Sequence, residues 1–374
     1  MRRLGYFEDV NIETPPVPGT ADQIDIDVTV TEKSTGNLLA GIGYSSTEGV
    51  VLSGSVSQQN IFGSGNALSL AVNTSRYNRT YSGTFFEPYW TVDGVSRTTE
   101  IYYKTLDPSG LSISQYSSTT GGAAVGFGVP VTESDTVNLG LRFEQTKLTL
   151  FSNSPPVYIN FVNEFGYVSN AFIGSAGWSR DTRDDILYPT RGRLQSFLFE
   201  TGFPFGDLAY YKVQYLHSWY TPVVGDLVVN LRTNLGWADG LDEKPLPFFK
   251  AFYAGGPGSV RGYENSSIGP KDIYGNTLGG RRLITGTVEA FYPILKGDKA
   301  VRGSVFVDAG QVWAQNSQAE DQAFPGSQDF RYSAGVGVAW SSPLGPLKFS
   351  YAIPFGTKPY DRLQKFQFSA GTAF

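Results

Sequence analysis

The segment GGPGSVRGYENSSIGP, residues 255–270, packs five glycines and two prolines around one arginine, Arg261. Glycine permits tight, left-handed turns and proline stops a strand, so the segment is a shaped excursion rather than part of a sheet. A guanidinium is a planar fork of donors suited to carboxylates. Two acids follow soon after. In LITGTVEAFYP, Glu289 shares a face with Thr285 and Thr287, while Ile284, Val288 and Tyr292 take the other. In VRGSVFVDAGQVW, Asp308 shares a face with Arg302 and Ser304, opposite Val305, Val307 and Trp313. From the residues alone, Arg261 is equally well a solvated loop charge. Catalytic side chains are scarce. His217 is the only histidine, and parity groups it with apolar Val213, Tyr215 and Trp219, as an interfacial side chain rather than a general base. Asp181, Asp184 and Asp185, near Arg180 and Arg183, read as a solvated turn in preference to a cation site. No phosphate-binding loop or zinc spacing occurs, so neither a metal nor a cofactor is expected.

The elements that carry these residues are strands. Period-2 alternation recurs in NALSLAVN, YYKVQYLHSWY, LVVNLRTNLGW and KFQFSAGTAF. The segments run roughly 9–12 residues, longer than ordinary strands and suited to a tilted membrane crossing. Aromatics gather at strand ends, as interfacial girdles do. Short connections (IFGSGN, TVDGVS, VVGD, SPLGP) alternate with long ones (152–168, 239–280, 314–329), the asymmetry of an outer-membrane barrel. The reading is an all-β, sixteen-stranded antiparallel transmembrane barrel over residues 36–374. Its strands begin near Leu38, Val50, Ala67, Tyr81, Arg97, Thr120, Val137, Ala171, Gly192, Ala209, Leu227, Arg282, Val301, Arg331, Leu347 and Lys365. Convincing helices are nearly absent. A soluble sandwich or propeller is the lesser alternative.

Composition narrows the classes. A net charge of −5 argues against nucleic acid as a partner. The chain has no cysteine, which excludes disulfides and thiolate metal sites. There is no apolar run of about 18 residues, so a spanning helix is not expected. MRRLGYFEDV lacks the apolar core of a signal peptide. Within residues 1–35, IDIDVTVTE alternates apolar and acidic residues, which is costly against lipid, and YFEDVNIETP is a plausible partner strand. This region reads as the remnant of a soluble domain, and the chain as a fragment of a longer protein.

Val260-Arg261-Gly262-Tyr263 resembles the VRG-(Phe/Tyr) loop motif of the BamA family, outer-membrane barrel insertases with periplasmic POTRA domains. MRRLGYFEDV, GIGYSSTEGV, DILYPTRGRL, FFKAFYAGG, VFVDAGQVW, SPLGPLKFSYA and KFQFSAGTAF also resemble that family, in its order and over essentially the whole chain. VRG alone is weak; the ordered set is specific. The resemblance implies that loop 239–280 folds into the lumen, where Arg261 pairs with Glu289 and Asp308. It implies that residues 1–35 end the last POTRA domain, which would face the periplasm and bind accessory Bam lipoproteins. The partners it implies are unfolded outer-membrane protein clients and the lipid bilayer.

Strand one carries Gly41 and Gly43 on its inward face, and strand sixteen carries Gly371. Such glycines either relieve crowding or weaken the closure. The resemblance implies the second: a lateral gate between Leu38, Gly41, Ile42, Gly43 and Tyr44 on one side and Phe366, Phe368, Gly371 and Phe374 on the other. Clients would then be folded and inserted without ATP, beside a thinned bilayer. FQFSAGTAF also has the aromatic-ended form of an outer-membrane targeting signal. The competing functions are a secretion translocator of the same superfamily, a passive porin and, less favoured, a barrel lipase.

Overall fold

A computed structural model describes residues 7–19, 24–32, 34–107, 115–186, 188–295, 301–314, 324–342 and 345–371. The strands, in chain order, are β1 (Phe7–Glu13), β2 (Asp27–Glu32), β3 (Gly36–Ser45), β4 (Gly49–Gln58), β5 (Ala67–Thr74), β6 (Asn78–Glu87) and β7 (Ser96–Leu106). Then come β8 (Tyr116–Pro130), β9 (Asp135–Leu150), β10 (Val168–Asp181), β11 (Gly192–Gly202), β12 (Tyr210–Val224) and β13 (Leu227–Gly240). The last are β14 (Gly262–Tyr263), β15 (Arg282–Leu295), β16 (Val301–Trp313), β17 (Arg331–Ser342), β18 (Gly345–Phe355), β19 (Leu363–Gln364) and β20 (Phe366–Ala370). Sixteen of them, all but β1, β2, β14 and β19, close into one antiparallel transmembrane barrel in which each strand pairs with its sequence neighbours and β20 returns to β3.

Alternation decides the two faces of the wall. On β15, Ile284, Val288 and Tyr292 are exposed on the outside while Thr285 and Thr287 are buried within. On β16, Val305 and Val307 face out while Phe306 and Asp308 are buried. An outer apolar band of this kind is what lipid requires, and closure pairs the backbone that lipid could not hydrogen-bond. No helix among the described residues is long and apolar enough to cross a membrane.

The connections 59–66, 88–95, 131–134 and 225–226 lie at the barrel end that also bears β1 and β2. The long connections 151–167 and 241–281 lie at the other end, together with 356–365 and the short 46–48, 75–77 and 203–209. The expectation of almost no helix needs correction at α1 (Pro156–Phe165). Pro156 opens it, where its missing N–H costs nothing, and Gly166 ends it at φ +86° with its N–H on the Val162 carbonyl. Tyr158, Phe161 and Val162 form its buried face. Tyr158 stacks on Phe248 at 4.0 Å, and Tyr116 meets both rings edge-on. The principal apolar core is therefore a roof joining α1 to connection 241–281.

At the N-terminus β1 pairs with β2, with Val10 opposite Val30 and Ile12 opposite Val28. Ile24, Ile26, Val28 and Val30 are all exposed.

Candidate functional site

The chain from Gly255 to Pro270 turns back inside the barrel wall. Gly255 and Gly256 take φ +107° and +90°, and Ala254 bridges Ile268 across the turn. Arg261 is only 8% exposed and Asp308 is 0% exposed. The guanidinium grips Asp308 with both arms: Nε donates to Oδ2 at 2.8 Å and Nη2 to Oδ1 at 2.9 Å. The backbone N–H of Arg261 adds a third donor to Oδ2 at 3.0 Å. Its remaining arm, Nη1, donates to Glu289 Oε1 at 3.0 Å, an oxygen that also accepts from Ser304 Oγ at 2.7 Å. The cation lies 3.3 Å from the ring centroid of Phe306. Hydrogen bonds of charged groups contribute about 1.5–3 kcal/mol each, and a buried carboxylate stripped of such partners is strongly unfavourable.

The rest of the motif has equally specific neighbours. Val260 is fully buried against Gly310 of β16, where an added Cβ would come within 2.7 Å of its side chain. Gly262 has φ +89°, and a Cβ there would sit 2.9 Å from Pro354 and 3.1 Å from Ala352. Tyr263 donates its hydroxyl to the Tyr332 carbonyl at 3.3 Å. Gly262 and Tyr263 pair as β14 with Gln364 and Leu363 of β19, the run-in to the last barrel strand. Gln367 Nε2 then donates to the Tyr263 carbonyl at 2.7 Å. Two residues after Arg261, therefore, the same loop is bonded to the closing strand. Sequence reading missed this link, because a glutamine on an alternating strand has no distinguishing mark.

A second ionic anchor was also missed. Lys250, at the start of the in-folded loop, donates to Glu144 of β9 at 2.9 Å. Glu144 also accepts from Tyr102 at 2.6 Å and lies 3.0 Å from Arg142. Arg142 continues to Glu200 at 2.7 Å, which accepts from Tyr210 at 2.6 Å. The signal was available: Arg142 and Glu144 share one face of LRFEQ, with no apolar reason for either.

The seam is sparse by comparison. Among the described residues, β20 pairs with β3 only through Ser369–Ser45 and Ala370–Tyr44, extended by the Ser46 N–H on the Phe368 carbonyl at 2.9 Å. Tyr44 stacks on Phe368 at 5.3 Å. Among the described residues Gly36–Gly43 have no ladder partner on that edge, and their other edge pairs fully with β4. Leu38 is 78% exposed and Ile42 69% exposed, while Gly43 is buried and Gly41 half-buried on the inner face. Phe366 is exposed, in line with Phe368. Gly371 lies beside Ile42 and Gly43, with φ +73° and room for no Cβ, which would come 2.6 Å from the Ile42 carbonyl. The last strand begins at Phe366, next to the expected start near Lys365, and Leu363 and Gln364 pair with the loop as β19. Phe374 lies outside the described residues.

The other titratable groups have structural partners. His217 Nδ1 is 3.3 Å from the Tyr215 hydroxyl. Asp184 accepts from the Thr190 hydroxyl and from the N–H groups of Thr190 and Arg191, at 2.8 and 3.1 Å. Burial alone would raise its carboxyl; these donors outweigh that and hold it at about 2. Asp185 accepts from the Tyr188 N–H, and Asp181 pairs with Arg183. Arg302 of β16 reaches this turn and donates to the carbonyls of Tyr188 and Pro189, at 2.6 and 3.1 Å. A lumenal cavity of ≈ 440 Å³ lies between that turn and Arg261. Among the described residues no group of three or more His, Cys, Asp or Glu could hold a metal ion.

Residues 60–374 match the Omp85 superfamily domain. The chain is 37% identical over 99% of its length to the outer membrane protein assembly factor BamA of Neisseria meningitidis, of which the match spans 51%. It is 28% identical to BamA of Nitratidesulfovibrio vulgaris, over 100% of this chain and 46% of that one. The chain thus spans about half the length of the curated relatives it matches. Its fold is similar to the crystal structure of BamA from Haemophilus ducreyi lacking POTRA domains 1–3, with a TM-score of 0.93 and 31% identity, over 99% of this chain and 76% of that one.

Proposed function

Because the chain belongs to the Omp85 superfamily, we propose that it is the membrane part of an outer-membrane assembly factor that folds and inserts β-barrel proteins through a lateral gate between β3 and β20. The observation that carries this reading is the attachment of the closing strand: it is bonded to the in-folded loop through β19 and Gln367, and among the described residues it meets β3 only through Ser369–Ser45 and Ala370–Tyr44. An open edge accepts an incoming strand through main-chain hydrogen bonds, which are tolerant of client sequence. Burial of client apolar surface and satisfaction of its backbone supply the driving force, so neither ATP nor a cofactor is required. The protein is not an enzyme in this reading. The β1–β2 hairpin is the end of a POTRA domain facing the periplasm, and accessory Bam lipoproteins bind upstream of it. The Arg261 anchor holds the loop that steadies β19 and β20.

The test uses the full-length protein in liposomes with a urea-denatured barrel client. Client folding is followed with the seam free and with Ser45→Cys and Ser369→Cys joined by oxidation. The expected result is acceleration with the seam free, loss on oxidation and recovery on reduction. Equal folding rates in both states would exclude the gate. Passage of ions or polypeptide without accelerated folding would favour a pore or secretion translocator.

A further inference from the structure

We propose that the outer wall of β12, β13, β15 and β16 carries a binding site for a membrane lipid with a phosphate headgroup. A cavity of ≈ 670 Å³ opens on this wall at the end bearing the long connections. Its floor is apolar, formed by Val213, Tyr215, Leu235 and Ile284. Above the floor, Arg282 stands directly between two tryptophans, paired across the sheet with Trp237 on β13 and Trp313 on β16. Its guanidinium lies 4.7 Å from the Trp237 ring centroid, leaving its N–H groups for a headgroup. Tryptophan and arginine at one level mark the membrane–water interface. A phosphate is the anion expected there, and the apolar floor below fits an acyl chain.

A second observation separates this site from ordinary interfacial anchoring. Two further residues line the cavity, and each has a buried donor without an acceptor: Arg281 Nε and Gln328 Nε2. Arg281 Nη1 donates to Asp239 at 2.9 Å, and Gln328 Oε1 accepts from the Ala314 N–H at 2.9 Å. Buried donors ordinarily find acceptors. Two orphan donors beside a stacked guanidinium ask for oxygen atoms, and a phosphodiester supplies them. The charge is complementary, since Asp239 is already held by Arg281 and the excess facing the cavity is positive.

The experiment is native mass spectrometry of the purified protein in neutral detergent, titrated with phosphatidylglycerol, with diacylglycerol and with inorganic phosphate. Phosphatidylglycerol is expected to be retained about tenfold more strongly than diacylglycerol, the increment of one charged hydrogen bond. Arg282→Gln should remove that difference. Arg79→Gln, at an outer arginine exposed near the same rim on β6, should leave it intact. Heat-modifiable gel mobility verifies that both variants remain folded barrels. Equal loss in both variants, no loss in Arg282→Gln, or no retention by the unmodified protein would overturn the site. Displacement of the lipid by millimolar inorganic phosphate would assign it to a free anion instead.

Discussion

The two ends of the same loop system are built in opposite ways. At Arg261, a cation, two carboxylates, a serine and an aromatic ring meet in a volume almost closed to water, and every arm of the guanidinium has a partner. Among the described residues of the seam, a few main-chain bonds and one ring stack join β20 to β3, and Gly371 meets β3 by bare backbone contact. The first arrangement is costly to open because a buried charge would be left alone. The second, among the described residues, rests on little beyond main-chain pairing. Gln367 joins them: its side chain bonds the loop, and its backbone belongs to the closing strand. The comparison teaches that the loop is held by buried charge while the described part of the seam is held by main chain.

The sharpest way to break this contrast is Arg261→Ala. It strips Asp308 of its charged donors, and the expected destabilisation is about 3–5 kcal/mol, the range for orphaning one member of a buried pair. The loop 241–281 should become sensitive to added protease, and client assembly should fall by at least an order of magnitude. Arg261→Lys keeps the charge but loses the two-armed grip, so it should rescue only in part. Wild-type digestion and wild-type assembly in Arg261→Ala would show that the anchor is incidental.

Much of the wall is legible in the sequence. Parity on β15 and β16 placed Glu289 and Asp308 on one inner surface, because a half-buried strand writes its two faces into alternate residues. What failed to show was contact between elements distant in sequence. Lys250 and Glu144 are separated by more than a hundred residues, and nothing local to FFKAF announces which strand it will meet. The helix α1 was concealed for another reason: ten residues with a buried face at 158, 161 and 162 lie within a connection bounded by strands. Read at period 3.6, PVYINFVNEF between proline and glycine carries its own start and stop. Gly371 is visible in the sequence as a glycine near the end of the last strand, but its neighbour depends on register, which that strand obtains from β18 and from the loop rather than from its own composition.

Lys250→Met sharpens the comparison from within the loop. Its ion pair with Glu144 belongs to a network in which Arg142 and Tyr102 still satisfy the carboxylate. The loss should therefore stay near about 1.5–3 kcal/mol, one charged hydrogen bond. Proteolysis should begin near residue 250 while the segment around Arg261 remains protected. A double-mutant cycle with Glu144→Gln isolates the pair; a coupling energy indistinguishable from zero would remove Lys250 from the anchor. Smaller still is Gly371→Ala, which forces a Cβ onto a left-handed backbone against the Ile42 carbonyl. A cost of about 1 kcal/mol is expected, and it should appear as slower oxidation of Ser45→Cys with Ser369→Cys rather than as general unfolding.

The last test asks whether the loop carries any pH response of its own. Lys271 is buried in connection 241–281, its Nζ bonded to the Ser267 carbonyl at 2.6 Å and to Thr277 Oγ1 at 2.8 Å. Burial lowers its pKa from 10.5 to about 8. Between those two values the unfolded loop holds a proton that the folded loop has released. Stability consequently rises with pH across that window and is lowest below it. Digestion by a protease active across alkaline pH should slow from pH 7.5 to 10 in the wild-type protein, after correction with an unstructured peptide. Lys271→Met, which has no proton to release, should flatten the profile while leaving the Arg261 anchor unchanged, since that arginine stays charged throughout. A profile equally steep in both proteins would place the titration elsewhere, and loop stability would then be set by the ionic anchors alone.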